Sequence, residues 1–588
     1  MHVRSRFAVS AAAGWLFFAL TGAASAQTAD LILIHGTILT VDAKDSIAEA
    51  VAIAKGKIIA VGTTAEIERH TGPATRVIDL HGLTATPGLI DTHGHFAEGG
   101  VDEVYHVVLS DVSSVNGALD LLRQKVASLK PGEWLVGAGW DEGKLKERRY
   151  LLASDLDKVT PNNPVWLMHT TGHYGVANSY AMRLAHITAA TPNPTAGTID
   201  KDAQGHPTGV LKEAAKDLVV NLIPPTTPEQ WQRGILHSIE GLHREGMTAI
   251  KDADDTEPMW DAFRELLRQN KLNEHVFMLW DSGHTVESAR QALAHITALP
   301  KPPGSLGDGQ LLSGGAKIFM DGSGGARTAW LYKPWNKNRT EIDGTNVGYP
   351  STDPRVYRQM VRLFQQAGVH VGTHAIGDRA IDWVVDTYAE VLKEKPAYGL
   401  RHSIIHCNIP TDHAMEVMAR LQKQYDAGYV EAQSPFMWWI GDTYAGNFGP
   451  ERSQRLEPFK TWLAKGVRWT GGSDYPVTPY AARYGIWASI ERETLKGVYG
   501  LHPFGTAESI DVHTALRSYT AWASRQLFLE NKIGTIEPGK NADIAIWDRD
   551  MYTIPAQDIK NLKCEMTLFG GRVVYQDPAA GLSIGKQK

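Results

Sequence analysis

Short runs of apolar residues alternate with helix-like segments through the middle of the chain. In segments such as Pro354 to Gln366 and Ala380 to Lys393, apolar residues recur at helical spacing. Repeated strand–helix alternation is typical of parallel βα units. Leu89-Ile90 and seven further apolar runs make eight predicted strands, which indicates an α/β protein built on a (β/α)8 TIM barrel. The other apolar runs begin at Thr248, Val276, Ala316, Val369, Ile404, Gly428 and Gly466.

The two ends of the chain have a different pattern, of short strands joined by turns. Lys55-Gly56-Lys57 separates two apolar runs as a hairpin turn does, and similar runs lie at Ala542 to Trp547 and Leu568 to Tyr575. Neither end is long enough to hold a core alone, so we expect both to pair into one β-sandwich domain. The predicted domains are residues 27–86 and 531–588 for the sandwich and 87–530 for the barrel.

One long stretch of the barrel region, about residues 96–240, does not follow the strand–helix alternation. We interpret this stretch as an insertion after barrel strand 1. Loops at the carboxyl ends of barrel strands build the active site in this fold. The insertion is therefore expected to cover or shape a substrate pocket.

Composition narrows the class of protein. The chain has 588 residues, 43% of them hydrophobic, which is enough for a large core. Its formal net charge is −6 and no run of lysine and arginine stands out, so we do not expect a nucleic-acid partner. Its two cysteines, Cys407 and Cys564, are too few for a disulfide scaffold, and we predict no bond between them.

The N-terminal segment has the pattern of a targeting sequence. Arg4 and Arg6 precede an apolar run from Phe7 to Leu20, and Ala24-Ser25-Ala26 fits the rule for signal-peptide cleavage. A transmembrane anchor is the alternative, but the run is short for a span. We expect a cleaved signal peptide over residues 1–26, and a periplasmic or secreted protein without a membrane span.

Candidate chemistry begins at the first barrel strand, which ends in His93 and His95. Residues i and i+2 of a strand point to one face, so both imidazoles can reach one metal ion. Alone, the pair is better explained by chance or by buried, hydrogen-bonded histidines than by a metal site. The ends of other predicted strands supply more polar side chains to the same barrel mouth. These are Lys317, His374, His406 and Asp474.

With these residues in place, the chain resembles the amidohydrolase superfamily, in its YtcJ-like branch (amidohydrolase family 3), which includes N-substituted formamide deformylase. The matching stretches occur in family order over nearly the whole mature chain, and such an ordered series is far more specific than one motif. They are PGLIDTHGH, GAGWD, GHYGVANSYAM, GTIDKDAQGHPTGVLKEAA, AKIFMDGSGGARTAWL, HAIGDRA, RHSIIHC, GGSDYPV and IGTIEPGKNADIAIWD.

The resemblance implies a metal site at the barrel mouth. His93 and His95 match the pair that holds the more buried metal, and His374 and His406 match ligands of a second metal. The expected cofactor is a divalent metal, with two zinc ions favoured over one. Two such ions lower the pKa of a shared water and polarise a carbonyl oxygen.

Two further residues take specific roles from the resemblance. Lys317 matches a lysine that in many relatives is carboxylated by carbon dioxide and bridges the two metals. Asp474 matches an aspartate that binds metal and takes a proton from the attacking water. The alternatives are that Lys317 forms an ordinary ion pair with Asp321 and that Asp474 caps a helix.

The resemblance also points to residues that face the substrate. His173 is the candidate that helps to stabilise an oxyanion, and is therefore counted with the catalytic residues. The candidates for substrate binding are Trp140, Asp141, Asp321 and Arg327. Arg327 is a candidate to hold a substrate carboxylate, although a structural ion pair explains it as well.

The sequence thus predicts an exported, metal-dependent amidohydrolase that uses metal-activated water on the carbon–nitrogen bond of an amide, N-acyl or cyclic amide. An esterase, lactonase or carbamate hydrolase on the same site is an alternative, because each reaction passes through a tetrahedral intermediate at a carbonyl. A catalytically inactive binding protein is a third possibility, which the complete ligand set argues against. The expected partner is a small-molecule substrate, and a homodimer is an open expectation.

Overall fold

The core of the protein is an eight-stranded parallel barrel. The computed structural model describes residues 27–338 and 344–586, and the predicted signal peptide lies outside these ranges. The strands neighbour one another in chain order, and all eight predicted strands are present, which confirms the α/β TIM-barrel-like fold. Barrel strands 1 to 8 are Leu89–Gly94, Met247–Asp255, His275–Asp281, Leu311–Phe319, His370–Ala375, Ser403–His406, Tyr429–Ala432 and Trp469–Gly471.

Contact between barrel strands 8 and 1 nearly closes the barrel. The Thr92 hydroxyl donates to the Gly471 carbonyl at 3.0 Å. Just beyond strand 8, the Asp474 backbone N–H donates to the His93 carbonyl at 2.7 Å. Because of this closure, residues from the two ends of the barrel sequence lie next to each other.

Amphipathic helices surround the barrel and pack their apolar faces against it. The helix from Pro354 shows how local sequence sets its limits: Asp353 caps its first turn, and Gly368 ends it at φ 71°. The helices around the barrel are Pro228–Arg244, Glu257–Arg268, Val286–Ile296, Pro354–Ala367, Asp378–Glu394, Asp412–Tyr425, Phe459–Lys465, Ala482–Glu491, Val512–Ser518 and Ala521–Gln526. Short helices after strand 7 are Pro435–Trp439, Gly441–Phe448 and Pro450–Ser453, and strand Gly304–Leu306 pairs with strand 4.

A mixed six-stranded sheet lies between barrel strands 1 and 2 in the chain. Its strands are Val107–Val108, Leu135–Trp140, Val165–His169, Tyr174–Ala177, Gly197–Lys201 and Pro207–Glu213. Its helices are Val115–Val126, Ala153–Leu156, Ser179–Leu184 and Asp217–Val220. The helix Phe96–Tyr105 precedes this sheet in the sequence and the helix Pro228–Arg244 follows it. These two helices contact each other, so the chain leaves and re-enters the barrel at neighbouring points.

Two further sheets combine strands from both ends of the described chain, and their side chains share one buried apolar cluster. One sheet contains Leu31–Ile34, Ala50–Ala54, Lys57–Gly62, Arg76–Asp79 and Ile584–Lys586. The other contains Thr37–Leu39, Ile47–Ala48, Thr84–Pro87, Ile544–Trp547, Cys564–Phe569 and Arg572–Gln576. Helical turns in the end regions are Thr64–Ile67, Glu68–His70 and Ala556–Asn561, and Thr506–Glu508 lies in the barrel region. The exact domain boundaries stay predictions.

Two properties of the described residues bear on the remaining predictions. Cys407 and Cys564 are both free and buried. Among the helices of residues 27–338 and 344–586, none is long and apolar enough to cross a membrane.

Candidate metal centre

The carboxyl ends of the barrel strands bring all six predicted metal ligands together. Asp474 Oδ1 lies 3.2 Å from His93 Nε2 and 3.3 Å from His95 Nε2. Lys317 Nζ lies 3.3 Å from the same His93 nitrogen. These contacts join strands 1 and 4 to the loop after strand 8, which is the arrangement that parallel barrel strands make possible.

His374 and His406 complete the group from strands 5 and 6. His406 Nε2 lies 3.0 Å from His374 Nδ1, and the His93 and His406 rings are 5.3 Å apart. One donor atom each from His93, His406 and Asp474 lies close enough to the others to share one ion. The predicted ligands therefore form one cluster, which is buried except for the partly exposed His95.

Three of these histidines are oriented as metal ligands are. A ligating histidine usually donates its second ring N–H to an oxygen, which leaves the lone pair of the other nitrogen free. Such donation leaves Nε2 free in His95 and His406 and Nδ1 free in His374. The Ala253 carbonyl accepts from His95 at 3.0 Å and the Gln433 amide oxygen accepts from His406 at 2.7 Å. The Gly322 carbonyl accepts from His374 at 3.2 Å.

The free nitrogens of His374 and His406 face each other, so their lone pairs repel unless a cation or proton lies between them. Burial lowers the pKa of both rings well below the usual range, which disfavours a proton. A divalent ion satisfies both lone pairs. Among the described residues, His93 Nδ1 and Asp474 Oδ1 are also buried without a hydrogen bond. The donor set fits a divalent metal.

The charges in the cluster also suit a cation. Burial opposes ionisation of Asp474, but the neighbouring His93 and His95 rings outweigh it and hold the Asp474 pKa well below the usual range. Burial lowers the pKa of Lys317, which favours the neutral amine. A neutral amine is the form that reacts with carbon dioxide, whereas an ammonium repels a metal ion.

A cavity opens onto this cluster, and His374, His406 and Asp474 form part of its wall. The insertion contributes His173 to this wall, and its predicted catalytic role stays a prediction. The other lining residues include Thr171, Ser323, Ile376, Phe436, Tyr444 and Val477. Apart from its histidines and Asp474, the described residues that line this space are uncharged.

The structure places Asp321 and Arg327 away from the cavity wall. The Asp321 carboxylate accepts backbone N–H groups from the loops after strands 4 and 5, namely those of Trp330, Ile376 and Gly377. Arg327 is 6% exposed, and its guanidinium donates to the side chains of Asn338 and Asn447. Both residues hold loops that form the site, and their predicted contact with substrate stays a prediction.

Trp140 and Asp141 also lie behind the cavity. Trp140 is fully buried in the core of the insertion. Asp141 belongs to a buried cluster in which His169 Nε2 lies 3.1 Å from Glu142 and 3.9 Å from Asp141. The Thr171 N–H donates to His169 Nδ1, so Nε2 carries the proton and cannot offer a lone pair to a metal. We therefore interpret this cluster as a structural contact and not as a metal site.

Two residues of the site were not found from the sequence. Gln433, two residues after the Glu431 of barrel strand 7, orients His406. Glu213, at the end of the insertion strand Pro207–Glu213, bonds His173. Gln433 stands just past a strand end, which was a usable signal. Glu213 lies in the matching stretch GTIDKDAQGHPTGVLKEAA, but its contact with His173 depends on strand pairing that the stretch does not show.

An eight-stranded barrel with histidines, an aspartate and a lysine buried at its mouth defines a class of metal-dependent hydrolases. A family model described as the Amidohydrolase family matches residues 76–575, and the chain belongs to that family. The chain is accordingly a metal-dependent hydrolase of carbon–nitrogen bonds other than peptide bonds, with a small-molecule substrate and a divalent metal. These predictions are confirmed.

Several characterised and uncharacterised proteins are similar over most of the chain. Putative amidohydrolase YtcJ of Bacillus subtilis is 27% identical over 92% of this chain and 98% of its own. N-substituted formamide deformylase of Arthrobacter pascens is 28% identical over 94% of this chain and 99% of its own. A solved uncharacterized metal-dependent hydrolase from Pyrococcus horikoshii aligns with TM-score 0.68 and 25% identity, over 90% of this chain and 99% of its own.

Proposed function

We propose that this protein is an exported zinc enzyme that hydrolyses neutral amides, including N-acyl and cyclic amides. The facing lone pairs of His374 and His406 carry the metal part of the proposal, because only a cation or a proton relieves them. The N-terminal pattern of residues 1–26 supports export. The nitrogen-rich donor set favours zinc.

We further propose that two ions bind, with carboxylated Lys317 as their bridge. The ligands form two groups, one around Asp474, His93 and His95 and the other around His374 and His406. Lys317 Nζ lies at the first group, 3.3 Å from His93. Bound divalent ions would lower the pKa of water and polarise a carbonyl oxygen.

The protein's own residues account for proton transfer and orientation. Asp474 stays ionised because His93 and His95 stabilise its carboxylate, so it is able to accept a proton from the attacking water. Delivery of that proton to the leaving nitrogen completes cleavage of the carbon–nitrogen bond. His173 lies in the cavity wall next to His374, where it can donate a hydrogen bond to the carbonyl oxygen.

The cavity favours a neutral substrate. In the described part of the chain, no lysine or arginine is among the residues that line it. Arg327 was the candidate to bind a substrate carboxylate, but its guanidinium already donates hydrogen bonds to the side chains of two asparagines. Phe436, Tyr444 and Val477 offer apolar surface instead. We therefore expect simple formamides, acetamides or lactams to be better substrates than N-acyl amino acids.

Metal content and turnover test this function together. We expect the mature wild-type chain to hold about two zinc ions and the Lys317→Ala variant to hold fewer. Zinc-loaded wild-type protein should hydrolyse neutral anilides, and Asp474→Asn should lose about 10²- to 10⁴-fold in kcat while keeping its circular dichroism.

Three results would count against parts of the proposal. One metal in both proteins would remove the carboxylated lysine. Turnover of esters, lactones or carbamates with none of amides would replace the amidase with the alternative hydrolase. A chain that binds no zinc at all would refute the metal centre.

A further inference from the structure

His173 is held in one orientation by Glu213. His173 lies between two adjacent strands of the insertion, and Glu213 ends the strand that pairs with the second of them. The imidazole Nδ1 lies 3.0 Å from one carboxylate oxygen of Glu213 and 3.2 Å from the other. The Glu213 backbone N–H donates to the His173 carbonyl at 2.8 Å, so main chain and side chain fix the same pair.

Glu213 is itself fixed. Its side chain is 9% exposed, and one oxygen also accepts the hydroxyl of Thr328, from the loop after barrel strand 4. A Cβ atom at Gly322 would stand 2.3 Å from this oxygen, so only glycine fits beside it. Glu213 has φ 49°, a left-handed conformation that a non-glycine residue rarely adopts. Such strain persists where the surrounding structure requires it, often at functional sites.

Because Nδ1 is bound to Glu213, Nε2 is the ring nitrogen that remains available to a substrate. Nε2 of His173 has no hydrogen bond to any of the described residues, and the ring lines the cavity with Asp474 and His406. The ring centre lies 4.9 Å from that of His374, a ligand of the metal centre. A carboxylate only accepts, so Nδ1 donates to Glu213 and Nε2 is the nitrogen left to contact a substrate in the cavity.

We propose that Glu213 is a positioning residue, which together with Thr328 orients His173 so that its Nε2 faces the carbonyl group of the substrate during water attack. The proposal rests on the proposed function and deepens it. It makes the insertion a part of the catalytic site, because both His173 and Glu213 belong to the insertion.

A double-mutant cycle tests this relation in the zinc-loaded full-length mature chain. Substrates are the neutral formanilides of the proposed function. We expect Glu213→Gln to lower kcat about 10- to 100-fold with KM changed less than about twofold, as for other residues that orient catalytic groups. In a His173→Gln background, the same substitution should change kcat less than about twofold, because Glu213 acts only through His173.

Thr328→Val provides a second route to the same conclusion if Glu213→Gln folds poorly. This substitution removes the hydroxyl that donates to Glu213. It should lower kcat less than Glu213→Gln does, and this loss should also be absent in the His173→Gln background. Glu142→Gln is the matched control, because Glu142 is another buried carboxylate of the insertion that contacts a histidine and a tyrosine hydroxyl, outside the cavity. It should leave kcat within about twofold.

Outcomes separate this inference from the proposed function. Equal effects of Glu213→Gln with and without His173, or a fall in zinc content that explains the lost activity, would overturn the positioning role while wild-type turnover stands. A wild-type protein that carries zinc but hydrolyses neither amides nor esters would overturn the proposed function and the inference with it.

Discussion

The second hydrogen bond of a buried histidine decides whether that histidine can hold a metal. Barrel strand 6 provides a direct comparison, since His402 precedes the strand, His406 is its last residue, and each bonds a glutamine at 2.7 Å. The other nitrogen of His402 accepts the Val371 N–H, so no lone pair is free. The other nitrogen of His406 faces His374. The sequence shows two similar histidines, and their neighbours in space give them different roles.

This difference predicts the effect of removing each glutamine. Gln433→Leu should weaken zinc binding about 10- to 100-fold, because His406 loses the acceptor that orients its ring. Gln365→Leu removes an equivalent bond from His402 and should leave zinc affinity unchanged, although both variants lose stability. Competition with a chromogenic chelator measures the affinities. Equal losses of zinc affinity in the two variants would contradict the orienting role of Gln433.

At the scale of elements, the sequence predicted strands well and the insertion only in outline. Barrel strands are continuous apolar runs because both faces are covered, so their pattern is strong. The insertion has a mixed sheet, in which parallel and antiparallel pairs succeed each other. Such pairing depends on contacts between distant strands, which local periodicity does not record. Trp140 and Asp141 are not among the residues that line the cavity, and their predicted contact with substrate stays a prediction.

Asn178 joins several parts of the insertion and should be important for its stability. Its side chain caps the helix Ser179–Leu184, accepts the Val165 N–H, and donates to the carbonyls of Thr160 and Asn163. Asn178→Ala should lower the unfolding free energy by about 1–3 kcal/mol, because buried partners lose their hydrogen bonds. Denaturant titration measures this loss, with zinc content as the control. Unchanged stability would show that the insertion unfolds independently of these bonds.

At the scale of the whole molecule, the metal centre depends on closure of the barrel. His93 and Asp474 are distant in the chain, and they meet because strands 1 and 8 lie side by side. A bound ion would join the ends of several strands and stabilise only the folded chain. Metal binding and folding are therefore linked.

This linkage predicts how zinc stabilises the protein as the pH changes. Zinc at about 100 times its Kd should add about 2.7 kcal/mol to the unfolding free energy. Burial and Lys317 lower the pKa of His93 to about 3, and burial lowers those of His374 and His406 well below the usual range. A lowered pKa keeps these three ligands neutral as the pH falls. Burial opposes protonation of His95 too, but the Asp474 carboxylate outweighs it and raises the His95 pKa, so the zinc increment should persist at pH 6 but be smaller than at pH 7.5.

Denaturation with zinc and with a chelator, at both pH values, measures this increment. The chelator-treated protein is the control for any loss of stability that does not involve the metal. An increment that disappears at pH 6 would show that protons displace zinc from ordinary, solvent-exposed histidines.

The sequence by itself determined the barrel, the candidate ligands and the family resemblance, because apolar periodicity and short motifs are local properties of a chain. Only the tertiary structure decided which nitrogen of each histidine is free, that Arg327 and Asp321 are engaged by loops, and that Glu213 orients His173. These assignments depend on hydrogen bonds between residues far apart in sequence. The partner of a buried polar group is set by the fold, and its chemistry follows from that partner.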